Sequence, residues 1–91
     1  MPDYKGVVKL VRAIGSEEYT DGSWSYYFEA ESLSEAKDII IQWVQQEFGG
    51  VCAEVIVEIW EEQWVSHVEF TKVAIINPLS NSDGEKIDKR S

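Results

Sequence analysis

The chain has one cysteine, so it forms no internal disulfide and no multi-cysteine zinc site. That usage sets a reducing compartment as the expectation, most simply the cytoplasm. It has one histidine, His67, which leaves a histidine-based metal centre without ligands. No apolar run approaches the roughly 20 residues of a membrane-spanning helix, and no membrane association is expected. The N-terminal Met-Pro-Asp-Tyr-Lys-Gly has none of the hydrophobic stretch of a secretory signal. Cations are scarce as well: 8 Lys and Arg against 17 Asp and Glu, for a net charge of −9. Between Ala13 and Thr71 thirteen acidic residues face a single basic one, Lys37. The remaining cations are Lys5, Lys9, Arg12, Lys72 and, near the end, Lys86, Lys89 and Arg90, which Asp83, Glu85 and Asp88 balance. A body this acidic lacks the basic footprint that phosphate requires, so direct nucleic-acid binding is not expected. The acidity serves either solubility or attraction to a basic partner.

What is present is globular: 44% of the 91 residues are hydrophobic and 12% aromatic, the size of one small domain. Small domains bury a modest share of their surface. Four tryptophans, four tyrosines and three phenylalanines offset this, because each ring buries roughly 150–250 Å².

The richest stretch is Val51–Trp60. Val51, Ala53, Val55, Val57 and Ile59 fall on one side of an extended strand, and Cys52, Glu54, Ile56, Glu58 and Trp60 on the other. The first side reads as core. Lys5–Ile14 is a second strand, with Val8, Leu10 and Ile14 sharing one side and Arg12 out of place among them; its two partly apolar sides suit a central position. Gly15–Ser23 is a turn region. Trp24–Ala30 is a strand whose Trp24, Tyr26, Phe28 and Ala30 form a core-facing row. Val65–Ile76 is the last strand, ended by Asn77-Pro78.

Between them, Ser32-Leu33-Ser34-Glu35 has the form of a capping box, in which Ser32 accepts from the Glu35 amide and Glu35 reaches back to the Ser32 amide. The helix then runs to about Phe48. Leu33, Ala36, Ile40, Val44 and Phe48 line one stripe, flanked by Ile39, Ile41 and Trp43, while Glu35, Asp38, Gln42 and Gln45 face away. Gly49-Gly50 is expected to supply a left-handed cap.

Pairing the last two strands depends on the loop. A four-residue loop, Glu61–Trp64, sets Val57 opposite Val68 and Val55 opposite Phe70, with Glu58 opposite His67 and Ile56 opposite Glu69. A three-residue loop slips the pattern to the wrong face. The even loop is therefore expected, built on a type I turn because it holds no Gly or Asn. The sum is an α+β domain over residues 1–77, a two-layer ββαββ arrangement of a four-stranded, mostly antiparallel sheet with one helix packed on one face. Residues 78–91, rich in Ser, Asn, Asp and Lys, are expected to form a disordered C-terminal tail.

One helix covers one face. The other is expected to display Lys9 and Thr71 together with Tyr27, Glu29, Glu54, Ile56, Glu58, Trp60, Val65, His67 and Glu69, and the last nine are the candidate interaction residues. The mixture is apolar enough to suggest contact with a partner, or self-association as a homodimer, against the plainer reading of scattered surface hydrophobes. Of Trp60 and Trp64, Trp60 is the better candidate for exposure. An adjacent Glu58–His67 pair would raise the histidine pKa, and its ordinary meaning is a cross-strand surface pair. No nucleophile with a base and orienting group assembles around it. Cys52 reads as a buried structural thiol, an oxygen-rich metal site from Glu54, Glu58, His67 and Glu69 has no clustered spacing, and no Gly-rich phosphate loop is present. No catalytic residue, metal or cofactor is therefore assigned. The expectation is a small non-enzymatic protein acting through its open sheet face. The alternative is an acidic mimic of nucleic acid that blocks a basic groove.

Overall fold

The computed structural model describes residues 2–64 and 66–79. It contains β1 (Asp3–Ala13), β2 (Thr20–Asp21), β3 (Ser25–Glu29), α1 (Leu33–Phe48), β4 (Cys52–Trp64) and β5 (Val68–Ile76). The two short strands β2 and β3 share one edge of β1. β4 lies on the other edge, and β5 beyond it. Every pairing is antiparallel, so β3 and β4 run parallel to each other with β1 between them. The result is an α+β fold, one helix against one antiparallel sheet, with β1 in the central position its two apolar sides suggested.

The helix begins as its cap dictates. Ser32 Oγ accepts from the Glu35 amide at 3.1 Å, while the Glu35 carboxylate accepts from the amide of Glu31, one residue before the expected partner. Ala36, Ile40, Val44 and Phe48, four residues apart along one stripe, are the buried ones. They meet Val55, Val57 and Ile59 of β4 and Tyr4 and Val8 of β1 in one cluster. Each such side chain, once buried, contributes about 1.5–3 kcal/mol. The C-terminus differs from expectation: Gly49 has φ −63° and ψ −23°, an ordinary right-handed conformation, and its amide bonds to the Gln45 carbonyl at 3.2 Å. Gly15 is the glycine of the described chain with positive φ, at 87°.

A continuous run of rings joins helix to sheet. Tyr4 stacks on Phe28 at 5.9 Å, Phe28 on Tyr26 at 5.4 Å, and Tyr26 on Trp43 at 4.8 Å. Trp43 meets Phe48 edge-on at 5.7 Å, and Phe48 meets Trp24 at 5.1 Å. Trp24 thus packs on the helix end, although its outer surface stays exposed.

Three irregularities in the ladder correct the expected faces. Lys9 has no partner between the Val8–Val57 and Leu10–Ile56 pairs. Beyond this bulge the alternation inverts, sending Leu10 and Arg12 to the open face and Val11 to the core. That is why Arg12 looked misplaced under strict alternation. Ala53 is skipped likewise between the Glu54–Arg12 and Cys52–Ala13 pairs, so Cys52 packs against the core and Val51 is exposed. The β4–β5 connection overturns the even loop. β4 continues to Trp64, which pairs with Val68, so an odd number of residues separates the two paired ends in place of the even loop. The slip this odd loop causes is repaired inside β5, where Val73 has no partner between the Trp60–Lys72 and Ile59–Ala74 pairs. Ala74 and Ile76 therefore reach the core side, while Val68, Phe70 and Lys72 turn to the open one. Of the expected tail, Pro78 is buried and Leu79 packs against the core; residues 80–91 lie outside the described residues.

Two glycines permit close approach. A Cβ on Gly6 would sit 2.4 Å from Ile40 Cδ1, which is itself fully buried with nowhere to retreat. A Cβ on Gly22 would sit 2.3 Å from the Val8 carbonyl oxygen, next to the bulge where the Gly22 amide donates to the Lys9 carbonyl at 2.8 Å. Gly22→Ala and Gly6→Val are each expected to lower stability by about 1–3 kcal/mol, the usual cost of overpacking. Denaturant midpoints check this, and unchanged values would remove the close packing of helix and edge.

Candidate interaction surface

The open face is ordered from one end by a polar clamp and from the other by an aromatic cluster. At the clamp, the Arg12 guanidinium lies 3.3 Å from the Glu54 carboxylate directly opposite it and donates to the Ser16 carbonyl at 2.8 Å. The Tyr19 hydroxyl donates to the other oxygen of Glu54, and the guanidinium carbon lies 5.8 Å from the Tyr19 ring centroid. The cluster ties the β1–β2 loop to β4. The Tyr19 hydrogen bond, followed by that of Arg12, holds the Glu54 carboxyl below its ordinary value. The same contacts, with the Glu54 bond the larger, raise Arg12 above its own.

At the other end one row of the sheet reads Tyr27, Lys5, Trp60, Lys72 across four strands. The Lys5 ammonium sits 4.8 Å from the Phe70 ring centroid, 5.4 Å from that of Trp60 and 6.0 Å from that of Tyr27. Tyr27 and Phe70 stand on strands separated by two others, yet their rings meet edge-on at 6.1 Å, leaning together across Lys5. Trp60 is fixed by its indole N–H, which donates to Glu58 at 3.1 Å, and Lys72 reaches the second Glu58 oxygen at 3.4 Å. A cation among three rings is held by their quadrupoles, worth about 0.5–1 kcal/mol when exposed and about 2 when desolvated. Beneath the opposite face, Tyr4 is 1% exposed and donates to Glu61 at 3.0 Å. Burial, then that bond, raises its pKa.

The candidate residues divide. Tyr27, Glu29, Glu54, Ile56, Glu58 and Trp60 do share the open face. Glu69 pairs with Gln63 and projects to the other side, as Thr71 does opposite Glu61. Val65 lies outside the described residues. The expected Glu58–His67 pair does not form: Glu58 faces Ile75, and His67, in the turn, lies 3.4 Å from Glu69 and 3.1 Å from the Ser66 hydroxyl. The tryptophan expectation reverses too, since Trp64 is 76% exposed and Trp60 is half-buried. Sequence reasoning missed Lys5, Phe70, Lys72, Leu10 and Ile75 as members of this face. The out-of-place Arg12 signalled the shift that turns Leu10 outward; no such sign marked the odd turn that turns Phe70 and Lys72 outward.

Among the described residues, Cys52 and His67, the thiol and the imidazole, do not meet. Cys52 packs against the core at the far end of β4 from His67, and the strand carboxylates Glu54 and Glu58 are occupied by cations. Among the described residues, no three of His, Cys, Asp and Glu stand together as metal ligands, and no helix is long and apolar enough to cross a membrane.

Two predictions follow from these contacts. A Lys5→Met and Phe70→Leu double-mutant cycle is expected to give a coupling of about 0.5–1 kcal/mol, measured by urea unfolding; additivity would dissolve the cation–ring contact. Because the folded-state pKa of Glu54 lies below its ordinary 4.5, its contribution is present above that value and fades as pH falls through the depressed one. The stability gap between wild type and Glu54→Gln is therefore expected to close on acidification through the carboxylate range. A gap that persists at acid pH would contradict the clamp.

No protein-family model, curated protein or solved structure matches this chain.

Proposed function

We propose that the protein acts by contact and not by catalysis, binding another polypeptide through the open face of its sheet. The observation that carries this is the cluster around Lys5. Tyr27, Trp60 and Phe70 present a large, stiff apolar surface, and Tyr27 is 64% exposed. Tyrosine and tryptophan beside a fixed cation are the side chains that dominate binding energy at interfaces, because they bury much area for few rotatable bonds. Leu10, Trp64, Val68 and Ile75 extend the patch as further exposed apolar side chains on the same face. Contiguous apolar surface of this kind marks contact sites. The internal pairing of Arg12 with Glu54 and of Lys72 with Glu58 lowers the cost of covering those four charges. The hollow beside Tyr27 and Phe70 has a volume near 240 Å³, below the usual range of small-molecule sites.

Mimicry of nucleic acid is the weaker reading. It calls for free carboxylates along the strands, and Glu54 and Glu58 are already neutralised by cations of the same face.

A photoreactive benzophenone residue placed at Tyr27, and separately at Asp38 on the outer side of α1, tests the proposal in extracts of the cells that make the protein. Protein adducts are expected from position 27 and none from 38. Absence of adducts from position 27 would refute it.

A further inference from the structure

We infer that the hollow beside Tyr27 and Phe70 receives a lysine or arginine side chain of the partner, and that the partner is therefore a basic polypeptide. This rests on the reading of the open face as a contact surface and adds the chemistry of what binds there.

One row of that face is acidic. Asp3 stands directly opposite Glu29, and Glu62 directly opposite Phe70. The β1–β4 register, with Tyr4 opposite Glu61, brings Asp3 alongside Glu62. Across four strands the row reads Glu29, Asp3, Glu62, Phe70, next to the row of Tyr27, Lys5, Trp60 and Lys72. The Ala30 amide donates to the Pro2 carbonyl at 3.3 Å, which makes Asp3–Glu29 a non-hydrogen-bonded pair, the kind whose side chains stand closest. Like charges directly opposite one another repel. Among the described residues the ion pairs are Arg12–Glu54, Lys72–Glu58 and His67–Glu69, so none neutralises Asp3, Glu29 or Glu62. Lys5, the nearest cation by register, lies against the rings instead. The face as a whole sets six acids, Asp3, Asp21, Glu29, Glu54, Glu58 and Glu62, against three cations, Lys5, Arg12 and Lys72. Such a surface draws a basic partner and repels an acidic one.

The hollow is built for a cation carried on an apolar stem. Asp3 and Glu29 line it together with Tyr27 and Phe70, and its volume is near 240 Å³. The two rings stand at 73° to each other. Rings give apolar surface to the methylenes of a long side chain and attract its charged head, while the carboxylates accept from its N–H groups. Among the described residues no three acids stand close enough together to hold a metal ion, which favours a cation on a stem over a bare one. The free carboxylates run across the strands at one end and do not continue along them, since Glu54 and Glu58 are paired, so the site suits one inserted side chain.

Continuity of the patch selects a polypeptide over a small amine. On the same two strands the next outward pair beyond Glu62 and Phe70 is Trp64 and Val68, 76% and 40% exposed. A chain bearing the cation covers these apolar side chains as well as the hollow.

Fluorescence anisotropy of labelled Gly-Arg and Gly-Lys repeat peptides, titrated with the purified full chain at about 0.15 M salt, tests the inference. A chain of charge −9 attracts any basic peptide, so the readout is a comparison of charge-matched variants. Asp3→Asn with Glu29→Gln is expected to weaken the tighter probe about tenfold, the size of a lost charge-assisted hydrogen bond. Asp38→Asn with Glu47→Gln makes the same charge change at exposed positions of α1, across the sheet, and is expected to shift it by less than about twofold. Tyr27→Leu leaves the charge untouched and is expected to weaken it about two- to fivefold. The amides at positions 3 and 29 remove a repulsion, so that variant is expected to unfold at the wild-type temperature or above, which separates lost binding from lost fold. Failure of both probes to bind, equal weakening by the two charge-matched pairs, or wild-type affinity in Tyr27→Leu each overturns the basic partner. If position 27 still yields protein adducts in any of those cases, the contact reading stands and the cation site alone fails. If it yields none, both fall.

Discussion

Ile40 lies on the bare backbone of Gly6, and the packing of the helix turns on that approach. A helix can come close to a sheet only where the sheet presents little side chain, and the central strand β1 does so at this position. From that seat the stripe Ala36, Ile40, Val44 and Phe48 runs along β1 and β4, whose inward valines and Ile59 complete the core. A single helix has one stripe to bury. Among the described residues none covers the sheet's second face, and its mixed character follows from that geometry.

The fold class was legible because it rests on periodicities of long elements. The capping box at Ser32 and the four-residue spacing of the buried helix positions announced α1 to within a residue. The run Val55, Val57, Ile59 announced the core strand in the same way. What sequence did not reveal is the position of extra residues. A bulge leaves no composition of its own: Lys9, Ala53 and Val73 are ordinary strand residues, and of the three shifts only that at Lys9 left a trace, in the misplaced Arg12. Rejecting a three-residue turn was sound for a perfect ladder, in which faces once exchanged stay exchanged. The chain instead uses the odd turn and then exchanges the faces back at Val73. Phe70 consequently stands above the sheet, when strict alternation had placed it beneath.

That double exchange also builds the surface. Without the odd turn, Phe70 and Lys72 would point toward the helix layer and Lys5 would lose its nearest ring; without the shift at Val73, Ala74 and Ile76 would leave the core. Without the shift at Lys9, Arg12 would be driven inward and Glu54 would stand unpaired. Local errors in the ladder thus sort cations to the outer face of a chain whose charge is otherwise negative. The same irregularities deform the outer edge that a foreign strand would join. Surface chemistry and edge protection arise from the same few residues.

The run of rings from Tyr4 to Trp24 has a mechanical consequence. β3 pairs with a single neighbour over five residues, and a strand so short and lightly held would ordinarily be the first to fray. Its Tyr26, however, lies flat on Trp43 of the helix, with 7° between the ring planes, and its Phe28 stacks on Tyr4 of the central strand. Peeling this edge away therefore also means pulling a ring off the helix. Edge strand and helix are bound into one cooperative unit, which opens together or not at all.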